Sequence, residues 1–234
     1  MHMVKNKKKY SIVKKFLTIA IILMVFITFG CSASYMVKVN GYIDPTRPIR
    51  IEQGSNFHII EDANSKNPLL EKEVMGKLDN MLKLKGYNTT DFEKAIIYLL
   101  YGYGIGHERT ITSTMPVYTP GHTATITKTG PKGTSYSTVN IPGTTTYVPY
   151  TATVTDKWLS LKLIDGEDYR KEGKSTVLWI GEATITGENN DIRNLMNYLI
   201  AGIYKYFGED TGKTLSISIK EDDPVVKSIM QYQR

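Results

Sequence analysis

The chain has 234 residues, with 29 lysine and arginine against 23 aspartate and glutamate side chains, a formal net charge of +6 and a pI near 9.1. Six of the basic residues and no acidic ones lie before residue 30, so the rest of the chain carries 23 charges of each sign and is neutral. Nucleic-acid binders carry a basic excess that neutralises phosphates, so this balance argues against DNA or RNA as a partner. The single cysteine excludes an internal disulfide.

The N-terminus is typical of a secretory signal peptide. An apolar run at residues 16–29 follows the lysines and leads directly into Gly30 and Cys31. The run is shorter than the ~20 residues that span a bilayer, and a small residue precedes the cleavage point. Cleavage would leave Cys31 as a new N-terminal residue for lipid attachment. Lipoprotein signals usually have leucine and a small residue where this chain has Thr28 and Phe29, so an uncleaved signal anchor with a buried cysteine is the alternative.

The first half of the remaining chain predicts strands and one amphipathic helix. Residues 35–39 and 56–61 predict strands, and residues 93–101, rich in Ile, Leu and Tyr, predict a buried strand. Between them a helix should begin at Pro68 with Asn67 as its N-cap and end near Gly86. Its apolar face recurs at three- and four-residue spacing: Leu70, Val74, Leu78, Met81 and Leu82.

Residues 107–155 differ in composition from their surroundings. Of these 49 residues, 16 are threonine, five are proline and only Glu108 is acidic. Alternate threonines favour β-strands, and Pro-Gly or Gly-Pro dipeptides divide the segment at turns. Few large apolar residues are present, so we expect an exposed β extension or a semi-ordered loop inserted in the domain. Strands that complete the main sheet and cover its edge are the alternative.

Alternation typical of strands returns at residues 158–165 and 176–186, which predict a β-hairpin joined by a charged turn at residues 166–174. Asn190 or Asp191 should cap a second amphipathic helix that ends at Gly208, before a strand at 214–220 and a short helix from Pro224. The apolar face of that second helix comprises Ile192, Leu195, Met196, Leu199, Ile203 and Phe207. The predicted fold is α+β, a two-layer sandwich of a mainly antiparallel sheet and two amphipathic helices in a single domain over residues 31–234.

The chain resembles a family of bacterial lipoproteins that carry a C-terminal domain of unknown function. The resemblance rests first on the signal sequence and on the helix that ends at Gly86-Tyr87, which a Tyr-rich strand follows. It rests also on the strand that ends at Asp165, and on the strand Leu178-Trp179-x-Gly181-x-Ala183 and the helix after it. Similar envelope lipoproteins often carry a Tyr/Thr/Gly/Pro-rich insertion. The resemblance implies no catalytic residue, and packing explains Trp179 and Gly181.

Two segments look like phosphate-binding loops, but we expect neither to bind a nucleotide. The glycine-rich stretch at residues 102–106 follows a strand, yet no helix follows it to hold a pyrophosphate. The stretch at residues 208–214 is one residue short of a P-loop and leads from helix to strand. His58, His107 and His122 show no close ligand spacing, so no metal or other cofactor is predicted. Asp222 and Asp223 are interpreted as a solvated pair.

The sequence therefore favours a lipid-anchored envelope protein with a binding or structural role and no catalytic residue. Its partner would be an envelope protein or a cell-wall component, and Ser32 after the cysteine is typical of outer-membrane sorting. A hydrolase whose site assembles from scattered residues is the alternative. Tyrosines in the insertion are candidates for a binding surface, with cross-strand pairing to threonine as the competing interpretation: Tyr118, Tyr136, Tyr147 and Tyr150.

Overall fold

A mainly antiparallel sheet with its two long helices packed on one face forms the body of the protein. The computed structural model describes residues 33–48, 50–61, 66–131 and 133–231. The predicted signal segment and its lipidation site, Cys31, lie outside these residues. Among the helices of the described residues, none is both long and apolar enough to cross a membrane.

The described residues contain ten strands, four α-helices and one short 3₁₀ turn. The strands are β1 (Ser34–Ile43), β2 (Asn56–Ile59), β3 (Asn88–Thr89), β4 (Ile97–Ile105), β5 (Arg109–Thr119), β6 (His122–Gly130), β7 (Gly133–Ile141), β8 (Thr144–Asp165), β9 (Val177–Gly187) and β10 (Leu215–Lys220). The helices are α1 (Pro68–Leu84), α2 (Gly166–Glu172), α3 (Ile192–Lys205) and α4 (Pro224–Met230), and the 3₁₀ turn is Phe92–Lys94.

The main sheet has the strand order β10-β1-β9-β8-β4-β2-β3. Its pairings are antiparallel except that β2 runs parallel to both β3 and β4. Strand β8 is 22 residues long, and only its second half lies in this sheet, between β4 and β9. The structure therefore confirms the predicted α+β sandwich, and it places the start of the 107–155 segment where β4 and β8 leave the body.

The two long helices form where capping and apolar spacing predicted them. The side chain of Asn67 accepts a hydrogen bond from the Leu70 N–H at 3.1 Å, and that of Asp191 accepts one from the Asn194 N–H at 3.1 Å. Both helices bury their apolar faces against the same side of the sheet, where they join a single core cluster. This core includes the fully buried side chains Leu78, Leu199, Phe57, Leu161 and Trp179.

Trp179 shows why the motif Leu178-Trp179-x-Gly181-x-Ala183 suits this core. A Cβ added at Gly181 would lie 2.1 Å from the Trp179 ring, so only glycine leaves room for the indole. The indole N–H donates to the Glu209 carbonyl at 2.9 Å. Packing therefore explains the motif, as the sequence predicted.

Two predicted segments each contain a short helical element. The strand predicted at 93–101 is β4, which runs from Ile97 to Ile105, because the chain first makes the 3₁₀ turn. The charged turn predicted at 166–174 contains α2, whose N-cap is Asp165: its carboxylate accepts from the Glu167 and Asp168 N–H groups at 2.9 and 3.0 Å. Helix α2 packs on the face of the sheet opposite the core.

Candidate interaction site

Residues 109–154 form one long two-stranded ribbon that continues from β4 and β8. Strand β5 pairs only with the first half of β8, which lies outside the main sheet, and β6 pairs with β7. The ribbon therefore does not cover an edge of the main sheet. We call its two parts the base ribbon, residues 109–119 with 144–154, and the tip ribbon, residues 122–130 with 133–141.

The pairing keeps one register from the base ribbon into the tip ribbon. Thr119 faces Thr144 on one side of the two Pro-Gly dipeptides and His122 faces Ile141 on the other, three residues further along both strands. At about 3.4 Å per residue, the 11-residue base strands extend roughly 37 Å and the 9-residue tip strands roughly 31 Å. The predicted exposed β extension is therefore a single hairpin, interrupted once.

The base ribbon has one threonine face and one apolar face. Residues directly opposite each other, and every second residue along a strand, share a face. By this rule the threonine face carries Thr110, Thr112, Thr114, Tyr118, Thr145, Tyr147, Thr151 and Thr153. The apolar face carries Ile111, Met115, Val117, Val148, Tyr150, Ala152 and Val154, with serine and threonine between them.

The tip ribbon repeats this division. Its threonine face carries Thr123, Thr125, Thr127, Thr129, Thr134, Tyr136, Thr138 and Asn140. Its other face carries Ala124, Ile126, Val139 and Ile141 among serine, glycine, His122 and Lys128. Large apolar side chains on these faces are exposed, including Ile126 at 45% and Met115 at 54%, and neither ribbon packs into the core of the body.

The four candidate tyrosines do not form one surface. Tyr118 and Tyr147 share the threonine face of the base ribbon, Tyr136 lies on that of the tip ribbon, and Tyr150 lies on the apolar face. Tyr136 is 74% exposed and faces Thr127, so cross-strand pairing and exposure occur together. The Tyr150 hydroxyl donates to Glu188 at 2.6 Å, and this hydrogen bond raises the pKa of Tyr150.

The ribbon is almost without charge beyond its first residue. Between residues 110 and 153 the sequence contains only two ionised side chains, Lys128 and Lys132. No long-range electrostatic attraction therefore selects its partner along most of its length. Any partner must complement an uncharged surface of threonine, tyrosine and small aliphatic side chains.

Ion pairs and hydrogen bonds fix the start of the ribbon to the body. Arg109 makes two hydrogen bonds to Asp156, and Thr186 donates to the same carboxylate at 2.5 Å. These contacts hold the pKa of Asp156 below its usual value, with Arg109 as the largest cause. Fully buried Lys157 donates to the backbone carbonyls of Thr155, at 3.1 Å, and Gly187, at 2.6 Å. The ribbon thus leaves the body from a rigid base.

The glycine-rich stretch at 102–106 lies mostly within β4, so it does not form a nucleotide-binding loop. Gly102 and Gly104 lie beneath the half-exposed indole of Trp158, which is paired with Gly104 across the sheet. A Cβ at Gly104 would come within 3.1 Å of this ring. These glycines make room for an aromatic side chain on the open face of the sheet.

The P-loop lookalike at 208–214 is the turn between α3 and β10. Gly208 and Gly212 adopt positive φ angles of 79° and 64°, which glycine tolerates without strain. Thr211 ties the turn to β1, since its hydroxyl accepts from the Gly41 N–H at 3.0 Å. The sequence of this segment is explained by this structural role.

The histidines and the acidic pair do not converge on a metal site. His58 approaches the Thr90 carbonyl through Nδ1 at 3.0 Å, and no cluster of three or more potential metal ligands occurs among the described residues. Asp223 caps α4 by accepting from the Val225 N–H at 2.9 Å, and it lies 3.7 Å from the Lys205 ammonium. It therefore has a structural role at the start of α4.

A cleft of about 890 Å³ lies between the first turns of α1 and α3 and the end of α4. Glu73 lies at its wall and pairs with Lys77 at 2.9 Å and with Arg193 at 2.6 Å. Partial burial raises the pKa of Glu73, but the two cations outweigh it and lower the pKa overall. Among the described residues that line the cleft, none is a serine, threonine, cysteine or histidine, so this described lining presents an ionised, paired carboxylate without a nucleophile beside it.

The apolar faces of the ribbon were not predicted from the sequence. The signal was present, because Ile111, Ile126 and Val139 alternate with threonine. Its assignment to a face required the register, since neither the turn nor the pairing partner of each strand is fixed by composition.

Comparisons with known proteins give a distant structural likeness only. No family model and no curated protein matches the chain. A PDZ domain protein from Parabacteroides distasonis is similar over 84% of this chain and 41% of its own, at 12% identity and a TM-score of 0.42. A PelC dodecamer from Paraburkholderia phytofirmans is similar over 72% of this chain and 96% of its own, at 14% identity and a TM-score of 0.38. The chain thus spans less than half the length of the first of these structures.

Proposed function

We propose that this protein is a lipid-anchored, non-catalytic binding protein of the cell envelope, and that the ribbon of residues 109–154 is its binding element. The observation that carries the proposal is the ribbon itself: it projects from a well-packed body, and along its length it exposes tyrosines and apolar side chains. Exposed apolar patches of this kind on soluble domains mark interaction sites.

The anchor is proposed at Cys31, after cleavage of the signal segment. The first strand begins at Ser34, three residues later, and three residues reach about 11 Å at most. The body would therefore lie against the membrane surface with almost no linker. Stable attachment needs more than one acyl chain, each contributing about 0.8 kcal/mol per buried CH₂. Ser32 favours the outer membrane.

The alternative of an envelope hydrolase has less support. The cleft beside Glu73 is the best concave candidate in the described part of the chain, but its carboxylate is held ionised by Lys77 and Arg193. A general acid would need a raised pKa, and a nucleophilic mechanism would need an activated hydroxyl or thiol. The cleft lining supplies neither.

The test of the anchor is Cys31→Ala, with Ser32→Ala as the control that keeps the thiol. Cys31→Ala should abolish incorporation of labelled fatty acid and should give either unprocessed precursor or protein released from membranes. Ser32→Ala should still be labelled. Separation of the inner and outer membranes then locates the anchored protein. Normal labelling and membrane attachment of Cys31→Ala would refute the proposal.

A further inference from the structure

The tip ribbon has two unpaired edges. Within the described residues, β6 pairs only with β7, so the outer side of each strand has no β partner. An isolated two-stranded hairpin is marginally stable in water, and additional strands are what normally stabilise it. An open edge of this kind is a template for another strand.

The register identifies the backbone groups on these edges. Gly130 and Gly133 flank a two-residue turn, so they exchange hydrogen bonds with each other, and every second pair after them does the same. The remaining residues direct their N–H and C=O groups outward, and they are also the residues of the threonine face: Thr123, Thr125, Thr127 and Thr129 on β6, and Thr134, Tyr136, Thr138 and Asn140 on β7.

The base ribbon is protected against edge pairing and the tip ribbon is not. Pro116 and Pro149 lie on the threonine face of the base ribbon, one on each strand. Proline lacks an N–H and is one of the residues that protect natural sheet edges, so a further strand fits the base ribbon less well than the tip ribbon. Strands β6 and β7 contain no proline, and Lys128 is their only ionised side chain. An edge partner is therefore expected at the tip ribbon.

A second copy of the chain matches these edges better than a charged partner would. Strands β6 and β7 are antiparallel, so β6 of one copy beside β7 of another continues the same antiparallel sheet. Threonine positions then face threonine positions and apolar positions face apolar ones, which extends both faces of the ribbon. The near absence of charge removes the repulsion that natural sheet edges use to prevent this pairing.

We propose that copies of this protein assemble edge to edge through the tip ribbon, with β6 of one copy paired to β7 of the next. This rests on the proposed function, because it names the partner of the same binding element. Such an interface is head to tail, so each copy retains one free edge of each kind until a ring closes or a filament grows.

The test uses proline to remove one outward N–H from one edge at a time. Thr125→Pro blocks β6 and Thr138→Pro blocks β7, while Thr125→Val and Thr138→Val keep the backbone donors as matched controls. Thr112→Pro places the same change on the base ribbon. The full chain and each variant are measured in detergent by sedimentation velocity, with circular dichroism to follow folding of the body.

The parent, the two valine variants and Thr112→Pro should form assemblies larger than a dimer. Thr125→Pro and Thr138→Pro should each be monomeric. An equimolar mixture of these two should give a dimer and nothing larger, since one supplies an intact β7 and the other an intact β6. Recovery of the dimer in the mixture also shows that the retained edges are folded.

A parent that is monomeric at every concentration, or assemblies that survive both proline substitutions, would overturn the proposal. If the parent is monomeric and its ribbon resists protease only in the presence of phosphatidylcholine vesicles, lipid rather than a second copy covers the ribbon. Neither result bears on the Cys31 anchor, which the labelling experiment tests separately.

Discussion

Single residues in the body show how polar groups are held beneath the helices. Glu71 in the first turn of α1 is 3% exposed, and the Tyr103 hydroxyl donates to it at 3.0 Å. The Tyr101 hydroxyl is also buried but meets no partner of hydrogen-bonding geometry. Burial raises the pKa of Tyr101 and the nearby Glu71 carboxylate raises it further, so this tyrosine stays neutral. The two neighbouring tyrosines on β4 therefore differ in what their hydroxyls contribute.

We predict opposite effects for Tyr101→Phe and Tyr103→Phe. Removing an unpaired buried hydroxyl should leave the free energy of unfolding unchanged or raise it, because no hydrogen bond is lost. Removing the Tyr103 hydroxyl should lower it by about 1.5–3 kcal/mol, the range for hydrogen bonds to charged groups. Urea unfolding of the two variants provides the measurement. Equal destabilisation by both would show that Tyr101 has a partner in solution.

Lys157, at the start of the ribbon, predicts a pH dependence. Burial lowers the pKa of Lys157, with a smaller opposing effect from Asp156. In the unfolded chain the Lys157 ammonium stays protonated up to about pH 10.4. In the folded chain it loses its proton at a lower pH, because its pKa is lowered. The contribution of Lys157 to the free energy of unfolding therefore rises with pH between the folded and the unfolded pKa. In Lys157→Met that rise is absent.

Urea unfolding of the parent and Lys157→Met at about pH 8, 9 and 10, approaching the pKa of the unfolded chain, measures this difference. The free energy of unfolding of the parent, minus that of the variant, should increase as the pH rises. Burial raises the pKa of Tyr87 and Tyr198 in both proteins, so both proteins lose stability above about pH 10, where these tyrosines ionise in the unfolded chain. This loss is the same in both proteins and cancels in the comparison. A constant difference across the three pH values would contradict the prediction.

At the scale of elements, strand β4 is shaped by its neighbour β8. Trp158 on β8 is 39% exposed and covers Gly102 and Gly104, whereas Trp179 is 1% exposed in the core. A Cβ at Gly102 would lie 3.6 Å from the Trp158 ring, an ordinary contact, but one at Gly104 would lie at 3.1–3.2 Å. The two glycines thus form a matched pair for testing this packing.

Gly104→Ala should lower the free energy of unfolding by about 1 kcal/mol, at the low end for overpacking because an exposed indole can move aside. Gly102→Ala should change it by less than about 0.5 kcal/mol. Acrylamide quenching reports the indole directly, since Trp158 is the accessible tryptophan of the two. Quenching should increase in Gly104→Ala alone, and identical quenching in both variants would contradict the assigned contact.

At the scale of the whole molecule, the ribbon and the body meet at a small number of contacts. Residues 107–155 begin and end beside each other, as neighbouring strands β4 and β8 require. At the end of the ribbon nearest the body, however, Ala152, Val154 and Thr155 are buried, with 7%, 4% and 3% of each residue exposed. Deleting the whole 107–155 segment would therefore remove side chains that the body buries.

A cut inside the base ribbon avoids this loss. Replacing residues 112–151 by Asn-Gly joins Ile111 to Ala152, which face each other in the register, through a two-residue turn. The variant should melt cooperatively, within about 1–2 kcal/mol of the parent, because closure entropy depends only weakly on loop length. It should also be monomeric. Calorimetry and size-exclusion chromatography make the measurement, and an aggregated or unfolded product would show that the ribbon supports the body.

Much of the fold followed from local sequence. Asn67 with Pro68, Asp191, and the apolar residues at helical spacing placed α1 and α3, because capping and periodicity act within a few residues of each other. Alternating threonines likewise predicted an exposed β extension.

Tertiary structure decided the pairings between distant residues. The place of β8 between β4 and β9, the separation of threonine and apolar faces along the ribbon, and the pairing of Glu73 with Arg193 all join residues far apart in the chain. A one-residue change of register would exchange the two faces, and composition is the same in either register. The sequence by itself determined which segments become strands and helices, whereas the strand register determined which side chains are exposed together for binding.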